Sequence, residues 1–172
     1  MNLKKLGVEI STKPEYKKLL KECYEYARKS NHPSTHDAAL LVKENKIILR
    51  GINILPLGVK KTKERFSGEN KHIYLNHAER DVIYKAAKNG IKTKGLTMIM
   101  PWLPCLQCAN AIISSGIKAL IVHKQMIDKT RDYWKKEFTQ ASKLLNEAKV
   151  KVIAYDGIVG VKAYMHKEYW NA

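Results

Sequence analysis

The sequence predicts an α/β protein with three layers, in which helices pack on both faces of a central sheet. Segments with helical spacing alternate with short apolar segments typical of strands, and this alternation is characteristic of layered α/β folds. The chain of 172 residues is long enough for one domain with a substantial core. No repeat, low-complexity segment or linker divides it, so we expect a single domain over residues 1–172.

The first half of the chain begins with a helix and continues with two strands. Apolar side chains recur at helical spacing over residues 14–29. The segments ALLV at 39–42 and KIILRGIN at 46–53 are predicted strands joined by a tight polar turn. Residues 58–72 are polar and basic without a period, which predicts an exposed loop long enough to carry function.

The second half alternates regularly. Helices are predicted over 77–90, 104–116 and 132–149, and strands over 96–101, 119–123 and 150–156. Proline at the start and glycine at the end mark the helix over 104–116. Residues 157–172 give no clear pattern.

The charge of the chain favours anionic partners. The net charge is +16, from 32 Lys and Arg against 16 Asp and Glu. Only five of the basic residues are arginine, whereas nucleic-acid surfaces favour the bidentate contacts that arginine makes. A phosphorylated small molecule is therefore favoured over a nucleic acid.

The start of the chain and the cysteine count indicate a cytoplasmic protein. The first residues, MNLKKLGVEISTKPEY, lack the apolar stretch of a signal peptide, and no apolar run approaches the length of a membrane span, so we expect no membrane partner. Three cysteines do not suit a disulfide framework.

Two of the cysteines lie in the segment PWLPCLQCAN, at the start of a predicted helix. Cys105 and Cys108 are three residues apart and share one helix face. The partial positive charge of a helix N-terminus favours the thiolate, which is the form that binds metal. Such a pair supplies two ligands for Zn²⁺; a thioredoxin-like redox pair is the alternative.

A histidine at the start of the preceding predicted helix offers a third ligand. His77 followed by Cys105 and Cys108 gives three ligands and leaves one position open, as in catalytic zinc sites. Glu79 is a candidate general acid and base beside that open position. Asn76 and Glu79 also fit a capping box, which is purely structural. The combined pattern H-x-E…P-C-x-x-C is the signature of zinc-dependent base deaminases.

Further segments extend this pattern. They are HPST (32–35), RGINILPLGV (50–59), KERF (63–66), KHIYLNHAE (71–79) and PCLQCANAIISSGI (104–117). On these segments the chain resembles the cytidine/deoxycytidylate deaminase superfamily, and most closely the deoxycytidylate (dCMP) deaminase family. The resemblance covers about residues 14–156 and leaves 157–172 as a C-terminal extension. It implies a three-layer α/β/α cytidine-deaminase-like fold with a central, mostly five-stranded mixed sheet, bound Zn²⁺ and assembly into homo-oligomers.

The resemblance also implies roles for residues around the zinc ligands. Asn53 corresponds to an asparagine that contacts the substrate's sugar or base, with a turn residue as the alternative. Trp102 resembles an aromatic residue before the Pro-Cys pair of polynucleotide cytidine deaminases, and either stacks beside the base or packs in the core. Backbone amides near Ala78 and Cys105 are expected to stabilise negative charge. The loop over 58–72 offers lysines and Arg65 for a phosphate or an effector.

The chain departs from the family pattern at three places. Asp37-Ala38-Ala39 replaces the usual Val-Gly-Ala, so Asp37 either reads the base or closes a turn. Asp81 replaces an asparagine. Ile54 replaces a glycine in the segment that the resemblance associates with dCTP and dTTP effectors.

The expected function is zinc-dependent deamination of a cytosine nucleotide, with dCMP converted to dUMP and ammonia. Other bases or nucleosides, riboflavin-pathway deamination, editing of tRNA or polynucleotides, and a non-catalytic zinc protein are the alternatives. The 24 residues from Asn53 to His77 exceed the corresponding connection of tRNA adenosine deaminases, which favours the nucleotide enzyme.

Overall fold

A six-stranded mixed sheet forms the centre of the molecule in the computed structural model, which describes residues 1–172. Its strands are β1 (Val8–Ser11), β2 (Ala38–Lys43), β3 (Lys46–Ile52), β4 (Thr97–Ile99), β5 (Ala119–His123) and β6 (Lys151–Tyr155). The order across the sheet is β1-β6-β5-β4-β2-β3. The first four strands in this order are parallel to one another. Strand β2 is antiparallel to both of its neighbours, β4 and β3.

Six helices and one separate hairpin complete the fold. The helices are α1 (Pro14–Ala27), α2 (Asn70–Tyr74), α3 (Ala78–Lys88), α4 (Leu106–Ser114), α5 (Lys124–Asp128) and α6 (Asp132–Glu147). Short 3-10 helices lie at Lys4–Leu6 and Glu64–Phe66. The C-terminal extension forms an antiparallel hairpin of β7 (Lys162–Met165) and β8 (Glu168–Asn171).

The predicted three-layer α/β class is confirmed, but the sheet has six strands rather than five. The additional strand is β1, which pairs in parallel with β6 at one edge of the sheet. It is only four residues long, and Val8 is its one buried side chain. Such a segment has too few residues to show a period, so the sequence pattern did not predict it.

Two apolar cores flank the sheet. One contains side chains of α3, α4 and α6, among them Val82, Ile112 and Phe138. The other contains side chains of α1 and of the C-terminal segment, among them Leu20 and Val161. Helices therefore cover both faces, as expected. Cys23 lies in the second core, fully buried, and its Sγ donates to the backbone oxygen of Ala38 at 3.3 Å, so it is a core residue as predicted.

Close packing of α3 on β3 fixes the position of the helix that carries His77 at its start. A Cβ atom on Gly51 in β3 would lie 2.6 Å from the backbone nitrogen of Val82 and 2.7 Å from the backbone oxygen of Ala78. Only glycine permits this approach. Asp81 reinforces it, because its Oδ2 accepts a hydrogen bond of 2.9 Å from the backbone N–H of Ile52.

None of the six helices combines the length and the apolar composition that a membrane span requires.

The basic segment 58–72 contains the 3-10 helix Glu64–Phe66 and the start of α2, in addition to irregular chain.

Candidate active site

Three metal-ligating side chains meet where α3 and α4 begin. His77 and Cys105 are the residues that precede the first turns of α3 and α4, and neither side chain caps its own helix. Cys108 follows in the first turn of α4. Nδ1 of His77 lies 3.5 Å from Sγ of Cys105 and 3.5 Å from Sγ of Cys108. All three donor atoms lie within 4.8 Å of one another.

These distances fit a tetrahedral zinc ion. Zinc binds thiolate sulfur at about 2.3 Å and imidazole nitrogen at about 2.0–2.1 Å, so tetrahedral angles place nitrogen and sulfur about 3.5 Å apart. The observed separations match this value. Two sulfurs and one imidazole are the donor set that zinc prefers, and no fourth His, Cys, Asp or Glu joins the group.

The electrostatics of the three groups favour a bound cation. The hydrogen bond with Cys108 is the main cause that lowers the pKa of Cys105 to about 4, and contact with His77 adds to it. Burial acts in the opposite direction but is outweighed, so this sulfur is a thiolate at neutral pH. Burial lowers the pKa of His77, but its hydrogen bond with Cys105 and the charge of Glu79 outweigh burial and raise it overall. The same contact with Cys105, together with burial, raises the pKa of Cys108, so the two sulfurs share one proton. One thiolate thus lies beside the imidazole, and a divalent cation bound there would favour loss of the second thiol proton as well.

Glu79 is buried beside the same three residues. It is only 4% exposed, and its carboxylate accepts a hydrogen bond from its own backbone N–H. Burial is the main cause that raises its pKa, which suits a group that takes up and releases protons. The capping-box alternative is wrong, because no side chain caps α3 and Asn76 instead pairs its backbone with Ile54.

His77, Glu79 and Cys105 line a cavity of about 960 Å³. Its walls come from segments far apart in sequence. They are residues 32–37, 66–72, 77–79, 102–105, 131–138 and 166–167, with Asn53 in addition. The polar and aromatic side chains among them can surround a small heterocycle and its substituents.

Asn53 lies in the cavity wall, where its side chain holds the neighbouring segment in place. Its Oδ1 accepts from the backbone N–H of Asp37 at 2.9 Å and from the Ser30 hydroxyl. Its Nδ2 donates to the backbone oxygen of Thr35 at 2.7 Å. One N–H of the amide has no partner in the protein. Asn53 therefore shapes the wall and has a donor left for a substrate.

Asp37 also lies in the cavity wall. One carboxylate oxygen accepts from the backbone N–H of Ala38, the first residue of β2, at 2.9 Å. The structure has no turn at Asp37, so the turn alternative is wrong. The other oxygen makes no hydrogen bond within the protein. Burial and the charge of Glu79 raise the pKa of Asp37 to about 7. The side chain thus contacts the start of β2 and presents a polar atom to the cavity.

Trp102 packs in the core and also lines the cavity, while its stacking beside a base stays a prediction. The ring lines the cavity, is 8% exposed, and packs edge-to-face against Phe138 with centroids 5.7 Å apart. Its Nε1 donates to the hydroxyl of Thr130 at 2.7 Å. Arg65, by contrast, lies outside the cavity wall, where its guanidinium sits 5.5 Å from the ring centroid of Tyr74. Among the basic residues of the loop, Lys71 lines the cavity.

Several wall residues were not predicted from the sequence. They are Arg131, Tyr133, Trp134, His166 and Lys167. Trp134 stacks on Phe138, which lies four residues further along α6, and also lines the cavity. His166 and Lys167 lie in the C-terminal extension, where no local pattern marks them.

Known proteins are similar to this chain in sequence and in fold. The chain matches the family described as "Cytidine and deoxycytidylate deaminase zinc-binding region" over residues 13–124. It is 35% identical to the deoxycytidylate deaminase of Mus musculus, over 77% of this chain and 72% of the relative. It is 34% identical to that of Homo sapiens, over 80% and 76%.

Solved structures support the same conclusion about the fold. The dCMP deaminase of cyanophage S-TIM5 in its apo form superposes with a TM-score of 0.61 at 23% identity, over 83% of this chain and 99% of that one. The fold and site thus define a deaminase, an enzyme of the hydrolase class. The chain belongs to the cytidine and deoxycytidylate deaminase family.

Proposed function

We propose that the protein is a zinc-dependent deaminase that converts dCMP and water to dUMP and ammonia. The observation that carries this proposal is the position of Glu79, whose buried carboxylate lines the same cavity as His77 and Cys105, two members of the group that Cys108 completes. A structural zinc site has no use for a buried carboxylate beside an open coordination position.

Zinc held by the three residues supplies Lewis acidity, which lowers the pKa of water to about 7 and so provides hydroxide at neutral pH. Glu79 would accept the proton that this water loses and deliver it to the ring nitrogen beside the reacting carbon. After hydroxide has added to that carbon, Glu79 would take the proton of the new hydroxyl group and pass it to the amino group, which would leave as ammonia while the carbonyl forms. Burial raises the pKa of Glu79, which suits both directions of this transfer.

The start of α3 is expected to bind the substrate near the reacting carbon. Ala78 is the first residue of α3 and lines the cavity. The N–H groups of a first helical turn have no partner within the helix, and they stabilise negative charge. We therefore assign to the Ala78 backbone the role of a hydrogen-bond donor to the base as charge develops.

Positive side chains in the cavity wall favour a nucleotide over a nucleoside. Lys71 and Arg131 both line the cavity. Neither forms an ion pair with a carboxylate of the protein. Free cations in a cavity are suited to a phosphate group. Relatives that are 34–35% identical to this chain over most of its length are deoxycytidylate deaminases, so dCMP is the substrate we propose.

Ammonia release from a panel of substrates tests the proposal. The zinc-loaded protein is assayed with dCMP, CMP, deoxycytidine, cytosine and a single-stranded oligodeoxynucleotide. We expect turnover of dCMP, with little from deoxycytidine. Turnover of the oligonucleotide alone, with a steep loss on adding salt, would instead indicate a polynucleotide deaminase.

The matched control removes the proton carrier and keeps the metal. A Glu79→Gln protein should bind zinc normally and turn over dCMP about 10²–10⁴ times more slowly. Near-normal turnover by this variant with zinc bound would contradict the role of Glu79.

A further inference from the structure

The C-terminal hairpin of β7 and β8 is fixed directly to one wall of the cavity. The backbone N–H of Lys167 donates to the oxygen of Ser34 at 2.9 Å, and the N–H of His36 donates to the oxygen of Tyr164 at 2.9 Å. Thr35 forms an antiparallel bridge with Met165. The hairpin therefore extends the wall formed by residues 32–37, and its turn is held at the cavity.

The turn itself has an unfavourable sequence for its backbone shape. His166 and Lys167 have φ angles of +57° and +70°. A two-residue hairpin turn with two positive φ angles strongly prefers Asn-Gly, because bulky side chains are strained there. Sparsely populated backbone conformations of this kind concentrate at functional sites. The two side chains are thus retained at some cost in stability.

Both side chains of the turn line the cavity. The His166 ring contacts the backbone of Lys129, but its buried Nε2 makes no hydrogen bond within the protein. Its ring packs against Trp102, with centroids 5.8 Å apart. Lys167 forms no ion pair. Arg131, also free of ion pairs, lies near enough for its charge to act on His166.

We propose that the His166–Lys167 turn binds the phosphate group of the nucleotide substrate, so that the C-terminal extension selects nucleotides over nucleosides. This inference rests on the proposed deaminase function and names the residues that recognise the substrate's anionic end. The ammonium of Lys167 supplies positive charge and Nε2 of His166 supplies a hydrogen bond. Arg131 and Lys71, on other walls of the cavity, add to the same positive region.

A change of the turn to its favoured sequence separates binding from stability. In the double variant His166→Asn with Lys167→Gly, the backbone hydrogen bonds of the turn are retained and the strain is relieved. We expect thermal stability to be unchanged or higher, while the affinity for dCMP falls about tenfold or more, as expected when charged hydrogen bonds are lost. The affinity for deoxycytidine should not change. The single variant Lys167→Asn, which keeps the turn and His166, should show part of the same loss.

The turn between β2 and β3 provides a matched control. Glu44 and Asn45 there have φ angles of +50° and +62°, and neither residue lines the main cavity. The double variant Glu44→Asn with Asn45→Gly relieves the same kind of strain. It should leave dCMP affinity and turnover unchanged.

Affinities are measured calorimetrically with the zinc-loaded protein carrying Glu79→Gln, so that dCMP binds without being consumed. Equal dCMP affinity with and without the turn substitutions overturns the inference, and so does a failure of this protein to bind dCMP. If dCMP binds more tightly than deoxycytidine, and this difference depends on the turn, the inference is supported. A wild-type protein that binds dCMP in this way but releases no ammonia from it would contradict the proposed function and leave the inference about the turn intact.

Discussion

Nδ1 of His32 accepts hydrogen bonds from the backbone N–H groups of Thr35 and Ser34, at 3.2 Å and 3.3 Å. The segment HPST is thus held by a neutral imidazole that accepts from two backbone N–H groups. Burial is the main cause that lowers the pKa of His32 to about 3, with smaller contributions from His72 and His77. The cavity wall over 32–37 therefore depends on this imidazole staying unprotonated.

Acid should weaken the fold through His32. Its folded-state pKa is about 3, below its ordinary value of 6.5, so the unfolded chain binds the extra proton between these pH values. Stability is therefore lost as the pH falls below about 6.5, by roughly 1–2 kcal/mol at pH 5. Denaturant unfolding of the wild type and of His32→Asp at pH 7 and pH 5 measures this. The variant keeps the two acceptor contacts and should lose less stability on acidification; an equal loss would contradict the assignment.

Gly51→Ala should displace α3 and damage the metal site. The added methyl group would meet the backbone atoms of Val82 and Ala78, which cannot move aside without the whole helix. We expect a loss of about 1–3 kcal/mol from overpacking and a fall in turnover of about 10² from the displaced His77 and Glu79. Unfolding and dCMP turnover are both measured.

The control for Gly51 lies at the other end of the same helix. Gly90→Ala strains a residue with φ of +64° but meets nothing within 4 Å. It should reduce stability by about 1 kcal/mol without affecting turnover. If both alanine variants lowered turnover equally, the close contact of α3 with β3 would not be what positions the site.

Removal of zinc should abolish activity. We expect zinc binding to require Cys108 but not Cys23. Cys108→Ala deletes a ligand and should reduce the bound zinc, measured by atomic absorption after dialysis, from about one equivalent per chain to near zero. Cys23→Ala removes a sulfur of α1 that is buried in the core, and this variant should retain the zinc. Retention of tightly bound zinc by Cys108→Ala would show that the metal has other ligands.

Asp37 should influence which base is accepted. Asp37→Val restores the residue usual in the family, and we expect the ratio of kcat/KM between dCMP and 5-hydroxymethyl-dCMP to change about tenfold, the effect of one hydrogen bond to a charged group. Asp37→Asn keeps an oxygen for the Ala38 N–H but removes the negative charge, so it distinguishes the effect of this contact from that of the charge. Identical substrate ratios in all three proteins would leave Asp37 only the role of holding the Ala38 backbone.

The metal group was predictable from the sequence because its signals are local. Pro104, the spacing of Cys105 and Cys108, and the helix start at His77 lie within short segments whose chemistry is specific. The predicted helix over 77–90 agrees with α3, Ala78–Lys88, to within two residues.

The walls of the cavity were less predictable because tertiary contacts assemble them. Strand β1 is too short for a pattern, and the β7–β8 hairpin contains His-Lys where a recognisable turn would have Asn-Gly. Neither the place of Lys167 at the cavity nor that of Arg131 follows from sequence spacing. Assembly into homo-oligomers and regulation by dCTP or dTTP stay predictions.

The pairing of the first strand with β6 has a consequence for synthesis on the ribosome. Val8 pairs with Val152, and Thr35 with Met165, so contacts that complete the sheet and the cavity wall join residues more than a hundred positions apart. Such nonlocal contacts form late. When the nascent chain has emerged as far as Cys108, it already carries the imidazole and the two thiols of the metal group. At that point it still lacks β6 and the hairpin. We therefore expect the emerging chain to acquire metal-binding groups well before it can recognise a nucleotide.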